Sequence, residues 1–471
     1  MGGLRGFGLS LIETPTGLMA LTGSGRGDTL QGRLVDAETG RFTTMNVTVD
    51  GGIDSALAVS LGGFLYAASA NGGLAWHAQA GNAGFNGGAA LSGDMVTQLG
   101  GVVDMSGLAG AGGGPDLLLT LSRGNGEVSA FALDGANGTP RLVGSLGVQN
   151  GLGLQGEPIA LETVMLGGVA HAIVLSVSPT GGAAALSVVA VGANGSLVPT
   201  DHILDSLDTR FGRATDLATA EVDGRIYVLS GGADGGLSLF TLSPSGRLLH
   251  MDTIEETLGS GLGSISALEM AAVGDSLAIL TARETGYGLT QLSYDVSDQG
   301  ITRLQENGDL SGQGGDDILE GGNGANRLSG GGGDDILIDG AGADRLTGGA
   351  GRDTFMLVAD DTLDVITDFT VGEDRIDLSL ISMVYGTERL SIKQQSWGAV
   401  LTWGGEDRLE LRSADGQPLN YDEVVAGLDW AVDRPPLVVA DVIRGGSGAD
   451  TLRASDEGGN LMRFGGADQL W

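Results

Sequence analysis

Apolar positions along this chain keep two different beats. Over residues 1–308 they come in short runs separated by turns rich in Gly, Asp, Asn and Ser. The clearest copy is DGRIYVLSGGADGGLSLFTLSPSGRL, Asp223 to Leu248, which reads as strand, glycine turn, strand and a short turn closing on Gly246. Similar stretches lie at 16–42, 63–85, 115–142, 171–197 and 274–304. Their turn glycines are Gly40, Gly84, Gly138, Gly195, Gly246 and Gly300, spaced 44 to 57 residues apart. An apolar run precedes the hairpin, as in SALAVSL (55–61) and SALEMAAV (266–273), and a more polar strand follows, as in RLLHMDTI (247–254). Four short strands per unit at this period predict a β-propeller of about six blades. Each blade then packs its faces on its neighbours, which protects the strand edges. Seven blades or an open β-solenoid fit the same spacing.

The second beat is nine residues long. Residues 312–356 read GQGGDDILE, GGNGANRLS, GGGGDDILI, DGAGADRLT and GGAGRDTFM, on the template G-G-x-G-x-D-x-U-x with U large and apolar. The sixth position holds Asp317, Asn326, Asp335, Asp344 and Asp353; the eighth holds Leu319, Leu328, Leu337, Leu346 and Phe355. Glycines let a chain turn tightly and bring backbone carbonyls close to an ion, and a calcium ion takes six to eight hard oxygen ligands. Asp at the sixth position adds a carboxylate, and x-U-x is long enough for one small strand with U pointing inward. A glycine-rich linker with scattered Asp is the competing reading, but it gives no reason for U to stay in phase.

These nonads resemble the repeats-in-toxin (RTX), or hemolysin-type, calcium-binding repeat. The resemblance implies a parallel β-roll in which two nonads make one turn, so that Asp317, Asp335 and Asp353 stack along one edge and Asn326 and Asp344 along the other. It implies about three Ca2+ ions held between stacked loops, at 317/335, 335/353 and 326/344. Gly312, Gly314, Gly321, Gly330, Gly332, Gly340, Gly342, Gly348, Gly349 and Gly351 would shape those loops. Gln313, Asp339 and Asn326 depart from the template. Asn offers a carbonyl without charge, so 326/344 should be the weakest site.

The rest of the C-terminal half also reads as β. DTLDVITDFTVGEDRIDLSLI, Asp361 to Ile381, resembles the segment that caps the roll in serralysin-like secreted proteins. A cap is needed because a bare roll end would expose its U residues. Asp364, Asp368 and Asp374 read either as ligands of one more ion or as turn and N-cap carboxylates. GAVLTWGGEDRLELRSADG (398–416) predicts a hairpin, and YDEVVAGL (421–428) a short helix. Arg434, Pro435 and Pro436 mark a linker, after which the nonad returns at 445–453 with Asp450 and again with Asp468. Those two are eighteen residues apart, which suits a further calcium site; an export signal is the other role of this tail. The domain reading is therefore a propeller-like domain at 1–308, a calcium roll at 309–356, a cap at 357–434, and a second short repeat tract at 435–471.

Charge narrows the function. Of 471 residues, 59 are acidic and 24 basic, for a net charge of −35. That argues against nucleic acid and anionic membranes as partners and suits a chain neutralised by divalent cations. The absence of Cys excludes disulfides and thiolate metal sites. No apolar run reaches the ~18–20 residues of a spanning helix. The N-terminus lacks a cleavable leader, since Glu13 and Pro15 interrupt its apolar run. The RTX resemblance implies export through a type I secretion apparatus with an uncleaved C-terminal signal. H-E-x-x-H, G-x-S-x-G and G-x-x-x-x-G-K-[ST] are all missing. His77, His171, His202 and His250 fall at different places in their units and read as structural or surface residues. Trp76, Tyr227 and Tyr287 read as blade packing rather than a sugar platform. Two classes of function remain. One is an exported calcium-binding protein whose propeller is a binding or adhesion module for an extracellular ligand. The other is a propeller hydrolase, lactonase-like, with the roll as export and folding aid. Glu13, Asp54, Asp104, Glu162, Asp216 and Glu269 lie near the innermost strands, and a cluster of them around a cation would favour the enzyme.

Overall fold

The computed structural model describes residues 57–68, 74–80, 84–91, 101–110, 114–154, 156–180, 182–257, 260–283, 289–381, 384, 386–403, 407–430 and 432–435, with the backbone of further strands before residue 51 and after residue 440. The chain is nearly all β and divides into two compact units, residues 1–202 with 436–471, and residues 203–435.

The first unit is a series of antiparallel meanders. Leu9–Thr14, Gly17–Gly23, Thr29–Val35 and Phe42–Asp50 form one, and Ala58–Leu61, Phe64–Ala68, Leu74–Ala80 and Gly84–Ala90 form the next. Val102–Leu108, Leu117–Ser122, Glu127–Leu133 and Pro140–Gly147 make a third. Glu157–Leu166, Val169–Val177, Ala184–Val191 and Leu197–Leu204 make a fourth. The first two meanders join into one eight-stranded sheet through a parallel pairing of Val49 with Phe85, and the third and fourth are four-stranded sheets of propeller type. Every residue of Leu117–Ser122 is buried, as a strand covered on both faces must be. One apolar cluster runs from Leu119 and Val128 in the third meander to Leu161, Val174 and Val189 in the fourth, so neighbouring sheets share a core. The hairpin glycine Gly195 has φ 85°, and a side chain there would also strike Val143 of the adjacent sheet.

The second unit begins with a fifth meander, Ala214–Val222, Arg225–Gly232, Gly236–Leu242 and Leu248–Glu255. The sixth has three strands, Ile265–Ala272, Ser276–Arg283 and Leu289–Asp295. Its expected last strand is used elsewhere. Gln299–Gln305 runs parallel to Asp316–Gly321 and opens the roll, and Gly300, read from the sequence as a turn glycine, lies within that strand. Local spacing could not reveal this, because residues 296–299 form an ordinary turn, with Gln299 N–H donating to Val296 O at 3.1 Å.

The roll has two parallel sheets. One contains Gln299–Gln305, Asp316–Gly321, Ile336–Ile338, Thr354–Met356, Arg375–Asp377 and Leu428–Asp429; the other runs from Gly308–Ser311 through Asn326–Gly332, Arg345–Ala350 and Leu363–Phe369 to Asp407–Ser413. Leu319 pairs with Leu337 and Leu337 with Phe355, while Leu328 pairs with Leu346 and Leu346 with Ile366. Each U residue is buried in one continuous core that extends into the cap. The outer faces differ. The odd nonads flank U with Ile318, Ile336, Ile338 and Met356, which pack with Leu249 of the fifth meander. The even nonads flank it with Arg327, Ser329, Arg345 and Thr347. The predicted hairpin forms from Gly398–Trp403 and Asp407–Ser413, and the helix Tyr421–Ala426 starts at a capping box of Asn420 and Glu423.

Candidate calcium sites

The roll edges are built by repetition. Each loop that carries a sixth-position residue follows a strand of one sheet and precedes a strand of the other, so stacked strands stack their loops. Gly331 (φ 118°) and Gly349 (φ 113°) hold the left-handed second position, and a Cβ on either would collide with the backbone carbonyl of the loop beneath. Gly340 occupies the same second position, while Gly342 and Gly351 provide the positive φ of the fourth. Gly314 and Gly332 face each other in a parallel bridge. At the first position, a Cβ on Gly312, Gly330 or Gly348 would collide with the sixth-position carboxylate of its own loop, and one on Gly321 would crowd Asn326. Gln313 is tolerated because its backbone is not left-handed there, and its N–H donates to Asp317 Oδ2 at 2.9 Å.

The carboxylates form ladders. Asp317 N–H donates to Asp335 Oδ1 at 2.8 Å, Asp335 N–H to Asp353 Oδ1 at 3.1 Å, and Asp353 N–H to Asp374 Oδ1 at 3.0 Å. On the other edge Asn326 N–H donates to Asp344 Oδ1 at 2.6 Å and Asp344 N–H to Asp364 Oδ1 at 2.9 Å. Both ladders therefore continue past residue 356. The signal was present in Asp364 and Asp374, but insertions make the last steps 20 and 21 residues instead of 18. The two ends of the first ladder spend both oxygens on amides. Asp317 accepts from Ile301 and Gln313, and Asp374 from Asp353 and Thr370. Asp368 likewise accepts from Gly348 and Gly349.

The inner rungs differ. Asp335 Oδ2, Asp353 Oδ2, Asp344 Oδ2 and Asn326 Oδ1 are buried and have no hydrogen-bond partner. A buried polar atom without a partner costs free energy, and an unpaired charge costs more. Burial, with like-charged neighbours, pushes Asp335 up to about 7, and burial raises Asp344 and Asp353 to about 6. Asp364 is likewise lifted by burial to about 7. These groups lack a positive partner, and a hard divalent cation with carbonyl co-ligands fits the deficit. Among the described residues no three His, Asp or Glu side chains converge on one point, so backbone carbonyls would complete any shell. Asp450 and Asp468 lie outside the described residues.

Elsewhere the candidate groups are committed to structure. Asp104 is buried and accepts from Met105 N–H and from Leu161 N–H of the adjacent sheet. Asp216 repeats the arrangement with Leu217 and Leu268. These two acids clasp neighbouring meanders. Glu162 and Glu269 are half-buried, and Glu13 and Asp54 lie outside the residues whose side chains are described. The Ser187 hydroxyl donates to the Gly153 carbonyl, which leaves His202 Nδ1 to donate to Ser187 at 3.1 Å. His171 Nδ1 donates to the Val169 carbonyl, and His250 pairs with Thr253 at 2.8 Å. His77 is buried. Trp76 and Tyr227 are buried and donate to Asn137 O and Gln299 Oε1. Tyr287 lies outside the described residues. No helix among the described residues is long and apolar enough to cross a membrane.

Stacked glycine loops with unpartnered inner carboxylates define a calcium-repeat roll. Residues 311–362, in three overlapping copies, and residues 440–456, in a fourth, match the model of the RTX calcium-binding nonapeptide repeat. The chain carries RTX repeats, and these imply calcium binding. No curated protein matches the chain. Solved structures similar to it include a protein from Lactobacillus plantarum at 15 % identity, covering 61 % of this chain and 84 % of that one with a TM-score of 0.40. A periplasmic gluconolactonase from Pseudomonas aeruginosa shares 17 % identity over 61 % of this chain and 85 % of its own, with a TM-score of 0.40. Sqt1 from Saccharomyces cerevisiae shares 14 % identity over 62 % and 75 %, with a TM-score of 0.39.

Proposed function

We propose that this is a secreted calcium-binding protein whose roll is completed by Ca2+ outside the cell, with the meander region as a binding or adhesion module. The observation that carries the reading is the row of buried, unpartnered oxygens on Asp335, Asp353, Asp344 and Asn326. In a calcium-poor cytosol these groups oppose folding and keep the segment extensible, as passage through a type I channel requires. At extracellular calcium levels the ions supply the missing charge. The commitment of Asp104 and Asp216 to backbone amides supports binding over hydrolysis, since it removes two acids from any catalytic cluster. Far-UV circular dichroism of the whole chain in chelator, then in millimolar calcium, tests the folding step. A gain of β signal is expected; an unchanged spectrum with no bound calcium would refute it.

A further inference from the structure

One side chain on the second edge is not asked for by the repeat. Asp339 holds the first loop position, where the other nonads have Gly312, Gly321, Gly330 and Gly348. At Gly330 an added Cβ would point at Asp335 Oδ2 of its own loop and at the Gly348 carbonyl of the next. A first-position side chain is thus directed into the space between consecutive loops. Asp339 follows that course. Its Oδ1 accepts from Val358 N–H at 2.9 Å, in the stretch that leads to Asp364. Its Oδ2 is unpartnered in a residue only 1 % exposed, and so is Oδ2 of Asp344 in the same loop, a residue 2 % exposed.

Resting on the calcium reading above, we propose that Asp339 is a side-chain calcium ligand, and that the space between loop 339–344 and Asp364 is the most acidic ion site of the roll. Asp339 Oδ2 and Asp344 Oδ2 would bind directly, backbone carbonyls would complete the shell, and Asp364 would add charge from the next loop. This site draws on three carboxylates. The 326/344 step has one and 335/353 has two, while at 353/374 the oxygens of Asp374 and the nearby Asp368 are all taken by backbone amides. Calcium affinity rises with ligand charge. The second edge, weak at Asn326, is then strong at its other end, where the roll meets its cap.

Calcium and terbium titrations of the whole chain, read by calorimetry and sensitised luminescence, test this with Asp339→Asn. That variant keeps an oxygen for Val358 N–H and puts an amide nitrogen where Oδ2 would bind the ion. The tightest step should weaken about tenfold or disappear, with the remaining steps unmoved. An isotherm like that of the unchanged protein would overturn the assignment. If Asp339→Asn fails to fold in saturating calcium, Asp339→Gly, the residue the repeat itself uses, carries the test: loss of the tightest ion supports the proposal, and equal or tighter binding refutes it. Absence of any calcium binding by the unchanged protein would overturn the underlying reading instead.

Discussion

Replacing Asp335 by Asn separates the inner rungs from the end rungs. Asp335 sits mid-ladder: Oδ1 accepts from Asp317 N–H, its own N–H donates to Asp353, and Oδ2 is unpartnered. Asn keeps the acceptor and places an amide where a cation would bind. The rung borders the spaces on both sides, so two ions weaken together. A tenfold loss at each is worth about 1.4 kcal/mol, or roughly 3 kcal/mol in all, visible as a higher calcium midpoint and a flatter transition. Asp317→Asn is the comparison, because both its oxygens already hold amides and the change removes one hydrogen bond instead of an ion ligand; it should cost about 1 kcal/mol and leave the transition as steep as before. The assay is a calcium titration of the whole chain followed by circular dichroism. Equal shifts for the two variants would refute the division into ligating and capping rungs.

Three further outcomes are expected. In chelator the roll should be more stable in acid. Carboxyls whose folded-state pKa is raised by burial, such as Asp335 and Asp364, each to about 7, stabilise the fold below their ordinary value of 3.8, and that contribution is lost as pH rises through 6 to 7. Dichroism at pH 5 and pH 8 without calcium checks this, and greater order at pH 8 would contradict it. Leu337→Ala, at the centre of the buried U ladder, should cost about 2–5 kcal/mol in saturating calcium, read by thermal melting. Arg225→Met should cost roughly 3 kcal/mol, because this buried guanidinium donates to Thr302 Oγ1 at 2.9 Å and to the Asp316 carbonyl at 2.6 Å, groups left without a partner on its removal; an unchanged melt would show the contact to be dispensable.

The sequence made the roll legible because its code is local. A glycine that must be left-handed, an Asp and an inward Leu recur at fixed offsets, and the observed pairing of Leu319, Leu337 and Phe355 follows from that count. The meanders were legible as hairpins for the same reason. What stayed hidden depends on partners distant in sequence. Gln299–Gln305 carries no loop motif, and only its pairing with Asp316–Gly321 makes it the first roll strand. A chain cut after residue 308 should therefore lose that strand's partner and leave Leu249 uncovered. The apolar flanks Ile318, Ile336, Ile338 and Met356 did signal a covered outer face, but a nonad template that scores only U passes over them. Asp104 and Asp216 looked like channel acids because sequence places them near inner strands and cannot show which amides they reach.

Hydrogen exchange of the whole chain, with and without calcium at neutral pH, reads whether calcium completes the roll. The amides of Asp317, Asn326, Asp335, Asp344 and Asp353 each donate to a stacked carboxylate or precede one in the ladder, so they report the roll edges residue by residue. Fast exchange is expected there in chelator and strong protection in millimolar calcium, while the buried strand Leu117–Ser122 stays protected in both. Equal protection of the roll amides in the two conditions would contradict it.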